Sequence, residues 1–126
     1  EFGIGSAYWS KHPLPRLPQE AILLDMVGDA DLEIPIELYS RQNAPRLTYR
    51  LWKLAETLEL NAFKPYSGVP VADDHLNLLR VGVEAVDIID FEYPYWHTSE
   101  DTPDKCSPES LGQVGRLLIG YIYGIE

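Results

Sequence analysis

The sequence predicts an α/β fold in which helices flank a sheet in three layers. Two short, continuous apolar runs, Ala21 to Gly28 and Val83 to Ile89, have the length and composition of strands buried on both faces by helices. Two longer stretches, one beginning at Asn43 and one at Ser107, repeat their apolar residues at helical spacing. The resulting order is strand, helix, helix, strand, helix, an α/β alternation. The 126 residues, 45% of them hydrophobic and 24% charged, are enough for one core, so a single domain over 1–126 is expected.

Taken in order, the opening Glu1 to Gln19 holds Gly3, Gly5, Pro13, Pro15 and Pro18, which rule out a long helix. It reads as an extended segment with room for a turn or helix end over Ser6 to Lys11. The first apolar run follows and ends among Asp25, Asp29 and Asp31. Ile34 to Tyr39, with Pro35, reads as a short extended piece at a sheet edge, because proline cannot donate to a ladder. Asn43 is placed to cap a helix whose Leu47, Leu51, Leu54 and Leu58 form one stripe, widened by Trp52 and Ala55. A loop through Pro65, Gly68 and Pro70 leads to Asp73 or Asp74 as the cap of a short helix, which Gly82 ends. The second strand is then followed by Phe91 to Lys105, an aromatic and acidic loop too long for a plain connector. Ser107-Pro108-Glu109 combines a capping serine, a first-turn proline and an acid at the positive end of the dipole. Leu111, Val114, Leu117, Leu118, Tyr121 and Ile122 trace the apolar face of that last helix.

Charge and composition exclude several roles. Twenty acids against ten bases give a net charge of −10, which repels phosphates and argues against nucleic acid and anionic membrane as partners. No window approaches the roughly 18 apolar residues of a membrane span and no leader opens the chain, so it reads as soluble, with its compartment unknown. A single cysteine, Cys106, excludes an intrachain disulfide and a thiolate-rich zinc site, and reads as a free thiol in a loop.

Three polar clusters fall at element ends: Asp25 after the first strand, Asp73-Asp74-His75 at a helix start, and His97 in the aromatic loop. Ligands of α/β sheets gather beyond the carboxyl ends of the strands, which brings Asp25 and the loop after Ile89 into consideration together. Each cluster also has a plain reading. Asp25 could cap a turn, and His75 reads as a hydrogen-bonding residue at a helix end rather than a ligand.

Leu-Leu-Asp-Met-Val-Gly (23–28), Asp-Asp-His-Leu (73–76) and Tyr-Trp-His-Thr (95–98), in this order and spacing, resemble the last three signature blocks of M28 zinc peptidases and their glutaminyl-cyclase branch. Leu79 to Val83 and Asp101 to Asp104 fit the same pattern, and the similarity runs from about Gly3 to Tyr123. The resemblance implies the second half of a zinc-exopeptidase-like (phosphorylase/hydrolase-like) domain. It implies that His97 ligates zinc, that Trp96 contacts substrate, and that Asp25 either ligates a second metal, as in two-zinc aminopeptidases, or joins an acid network with Asp73, as in the cyclases. The implied substrate is the N-terminus of a peptide or protein. The tryptophan before the histidine leans toward the cyclase branch.

The same comparison implies parts with no match here: a strand-end histidine, an aspartate ligand and a pair of glutamates that includes the catalytic base. His12 lacks the apolar strand and aspartate spacing of that histidine and reads as a surface residue. Gly3 to Trp9 resembles the family's stretch just after its glutamate block, so the chain is expected to start about halfway through the domain, to hold zinc weakly by itself and to be inactive without an N-terminal half. An open sheet edge, pairing with that half or with a second copy, is expected to follow. Full-length relatives are often exported. The competing reading is a non-catalytic interaction or structural module that keeps the family fold.

Overall fold

The computed structural model describes residues 3–124, which form five α-helices, four short strands and one 3-10 turn. β1 (Glu20–Asp25) and β4 (Glu84–Ile89) pair in parallel, from Glu20 opposite Glu84 to Asp25 opposite Ile89. β2 (Ile34–Ile36) and β3 (Phe63–Ser67) form a second parallel pair whose register shifts between Ile34 and Ile36. The α/β class is as the sequence predicts.

The layers follow from alternation along β4. Val86 and Ile88 enter a core with Leu47 and Leu51 of α3 (Pro45–Thr57) and Val114 and Leu117 of α5 (Pro108–Tyr123). The intervening Asp87 turns to the other face, toward His75 of α4 (His75–Arg80). α1 (Ile4–Lys11) packs on α4, and α2 (Leu38–Asn43) lies on β4 beside α3.

Several expectations are corrected. The opening is not extended: α1 is a helix of 8 residues, begun by a left-handed Gly3 and tied to α4 by Asn77 Nδ2, which donates to Gly3 O at 3.0 Å and Ser6 Oγ at 2.8 Å. The prolines that suggested extension all lie beyond its end, while Glu1 and Phe2 lie outside the described residues. Asn43 does not cap α3. It closes α2, donating from Nδ2 to Tyr39 O, and Pro45 opens α3 after an uncapped Ala44. The stretch containing Pro65 is a strand rather than a loop, because the proline sits in a ribbon of two strands with an irregular register. β1 is only partly buried, with Leu24 40% exposed: it pairs with β4 along one edge, and no other described strand pairs with its second edge. In α5, Val114 and Leu117 are buried as expected, but Leu111 and Ile122 face outward. Asp73 and Asp74 stand before α4 as predicted, yet neither side chain caps it in the usual way. Asp73 Oδ1 accepts from the next residue's N–H, and Asp74 Oδ1 accepts from Ser6 Oγ at 2.7 Å.

Candidate active site at the strand ends

Asp25 is the last residue of β1, and the chain turns sharply after it through a left-handed Met26. Its carboxyl lies within hydrogen-bonding reach of Asp73, which the start of α4 carries toward it. Burial, the hydrogen bond to Asp73 and that residue's charge together raise the Asp25 carboxyl above its ordinary range, against the pull of the Met26 N–H. Asp25 and Asp73 are thus brought together from positions 48 apart in sequence.

Asp25 also borders a cavity of about 280 Å³ with Asp29, Tyr93, Asp101 and Cys106. Tyr93 and Asp101 come from the aromatic loop, and the Tyr93 hydroxyl donates to Asp101 Oδ1 at 2.8 Å. Burial and this bond push the Tyr93 phenol up to about 12, so it stays a donor. The far foot of the loop is sewn to the segment behind Asp25. Ser107 N–H donates to Gly28 O and Ala30 N–H to Lys105 O, each at 2.9 Å, and Cys106 bridges Asp29. A Cβ on Gly28 would meet Cys106 Sγ at 3.1 Å, which favours glycine there.

His97 and Trp96 form a second cluster nearer the loop tip. Their rings stack at 4.1 Å, Phe91 lies 5.2 Å from the indole, and both residues are exposed. His97 adopts a left-handed φ of 57°, an unusual conformation for a residue with a Cβ. The turn around it is held locally, with Thr98 N–H and Oγ1 both donating to Tyr95 O. His97 does not line the cavity beside Asp25.

Beneath the acid pair lies a polar core that the sequence reading passed over. His75, read there as a helix-end residue, is fully buried, with Nε2 3.2 Å from Glu37 Oε2 and Nδ1 3.7 Å from Asp87 Oδ2. Ser40 joins the two acids, since its hydroxyl donates to Glu37 Oε2 at 2.7 Å and accepts from Asp87 N–H at 3.0 Å. The usable signal was Asp87 itself, a charge in the middle of an apolar strand that must find a partner or hold a proton.

Residues 1–122 match peptidase family M28. The chain belongs to that family. A leucine aminopeptidase precursor from Bacteroides thetaiotaomicron superposes on this M28 chain with a TM-score of 0.92 at 32% identity, covering 98% of this chain and 44% of its own. The Fimbriiglobus ruber glutaminyl cyclase does so with a TM-score of 0.90 at 32% identity, covering 100% and 45%. A glutaminyl-peptide cyclotransferase of Boiga irregularis is 27% identical over 110 residues, which are 77% of this chain and 29% of that protein. The M28 chain therefore spans less than half the length of these relatives. Zinc enters at the level of the family: a neighbour from Parabacteroides distasonis, with a TM-score of 0.91 at 26% identity, is a Zn-dependent exopeptidase. Among the described residues, no three or more His, Cys, Asp or Glu are grouped to hold a metal ion. By themselves these residues do not fit a zinc centre.

No described helix is long and apolar enough to cross a membrane.

Proposed function

We propose that this chain supplies the second half of an M28-type site that acts on the N-terminus of a peptide or protein, and that the cyclase reading fits it better than the aminopeptidase reading. The observation that supports this is the Asp25–Asp73 contact: Asp25 is engaged with another carboxyl, as an acid network requires. In this reading Asp25 and Asp73 hold one proton between them and absorb charge changes at the reacting end of the substrate. Closing an N-terminal glutamine forms a bond from the α-amine nitrogen to the side-chain amide carbon, releases ammonia and moves one proton from the first nitrogen to the second. Trp96 is the proposed substrate contact and His97 the proposed metal ligand of this chain. The remaining ligands and the general base come, in this proposal, from outside the chain, which makes it one part of a domain and inactive alone.

The free edge of β1, with exposed Leu24, is the proposed junction with that other part or with a second copy. The absence of a metal-holding group among the described residues also favours a second reading, a non-catalytic interaction module. The two separate in one set of assays. Cyclisation of an N-terminal glutamine and release of N-terminal residues are measured with zinc, using the chain alone and the chain with the complementary N-terminal part of a glutaminyl cyclase. The proposal expects activity only in the second sample, cyclisation exceeding release, and loss of both in His97→Ala. A complex that forms but stays inert, with binding unchanged by His97→Ala, would establish the module instead.

A further inference from the structure

Glu37 receives bonds on both oxygens from donors that bracket the acid turn. Oε1 accepts the Val71 N–H at 2.9 Å, two residues before Asp73, and Oε2 lies 3.2 Å from His75 Nε2, two residues after it. The N–H groups of Tyr39 and Ser40 and the Ser40 hydroxyl complete its shell. Burial alone would push this carboxyl up, but the bonds from His75, Ser40 and Val71 outweigh it and hold Glu37 near 2, an anion at working pH.

That charge fixes the proton on its neighbour. An ionised carboxylate only accepts, so His75 donates from Nε2, and a neutral ring then presents a bare lone pair at Nδ1. Facing it is Asp87, whose two oxygens, like His75 Nδ1, are buried without a hydrogen-bond partner. Two acceptors opposed at 3.7 Å in a buried site repel, and one proton between them turns repulsion into a bond. The carboxyls of Asp73, Glu37, Asp25 and Asp74 all act on Asp87 to favour its protonated form.

We propose that Asp87 donates a hydrogen bond to His75 Nδ1, and that Glu37, His75 and Asp87 together form a buried clamp whose role is to position Asp73 against Asp25. They are positioning residues, since none of the three is placed against substrate. Burial and the four surrounding carboxylates, Asp73 foremost, agree with this by pushing the Asp87 carboxyl up to about 8. The consequence for activity rests on the reading of Asp25 and Asp73 as working acids, whereas the clamp does not.

The test is nitrogen-15 NMR of the His75 ring in the chain, near neutral pH. A ring protonated at Nε2 and bare at Nδ1 is expected; a proton on Nδ1, in either the neutral or the doubly protonated ring, overturns the proposal. Asp87→Asn keeps a donor on a group of the same shape, so it should keep that tautomer and the slow exchange of the Val71 N–H. Asp87→Val removes the donor and should speed Val71 exchange on the order of tenfold, leaving amides of α3 and α5 unchanged. In the reconstituted assay the same pair should split, Asn near the parent and Val lower in kcat/KM by about tenfold. Val71 exchange unmoved in the valine variant, or equal losses in both variants, would overturn the clamp. If the valine variant does not fold, the ring tautomer and the asparagine variant still decide. The expected tautomer in a protein inert toward every N-terminal substrate would overturn the catalytic reading and leave the clamp in place.

Discussion

The acid turn and the aromatic loop are held in opposite ways. Asp73 lies between residues that are held from afar: Glu37 accepts from Val71 N–H and pairs with His75, 34 and 38 residues away in sequence, and Asp74 is met by Ser6 of α1. Trp96 and His97 are set by their immediate neighbours, through turns closed over two to three residues and rings stacked on one another. The first region is half-buried and tied to distant parts of the fold; the second is exposed and its feet are fastened to the body. The proposed proton chemistry lies where position is set by several distant contacts, and the proposed metal and substrate contacts where a partner can still adjust them.

The largest break in that contrast is Glu37→Ala. It strips the acceptor from five donors in the interior and should cost about 3 to 5 kcal/mol, read by urea or thermal unfolding.

Next is pH. Glu37, lowered from 4.5 to about 2, contributes stability that is present above its unfolded value and lost as pH falls through the folded one. Asp87, raised from 3.8 to about 8, contributes the reverse: the native state binds the extra proton, so its stabilisation is full below 3.8 and is lost as pH rises toward 8. Their sum predicts maximal stability well on the acid side of neutrality, around pH 4, and Asp87→Asn should flatten the decline between there and pH 8.

Smaller effects belong to the loop. Ser107→Ala removes the side chain that accepts from Ser110 N–H at the start of α5 and should cost about 1 kcal/mol. Replacing His97 by glycine rather than alanine should favour the glycine protein by about 1 kcal/mol, because only the alanine keeps a Cβ at positive φ. Tyr93→Phe, which deletes one exposed bond to Asp101, should change unfolding by no more than about 0.5 kcal/mol.

What was legible in the sequence follows the same division. α3, α5, β1 and β4 are written as periodicity and apolar runs, and Gly82 ends α4 with the positive φ of 88° that its position implied. The motifs around Asp25, Asp73 and His97 were legible as short local strings. α1, α2 and β3 were not, because tertiary contacts stabilise them against their local signals: an α1 that leans on α4, a six-residue α2 capped by Glu37 rather than by a short polar side chain, and a strand that accommodates Pro65. The clamp was illegible for a further reason. Glu37, His75 and Asp87 have no common spacing, and only the packing of β2, α4 and β4 makes them neighbours.

The two feet of the aromatic loop are both planted beside Asp25, one through its β4 partner Ile89 and the other through Cys106 and Ser107 against Gly28 and Asp29. A protease cut near Tyr95 would therefore yield two fragments that stay assembled, the larger ending in the loop just past β4 and the smaller carrying α5 against α3. His97 would then hang from a new chain terminus, while the acid pair kept its seat.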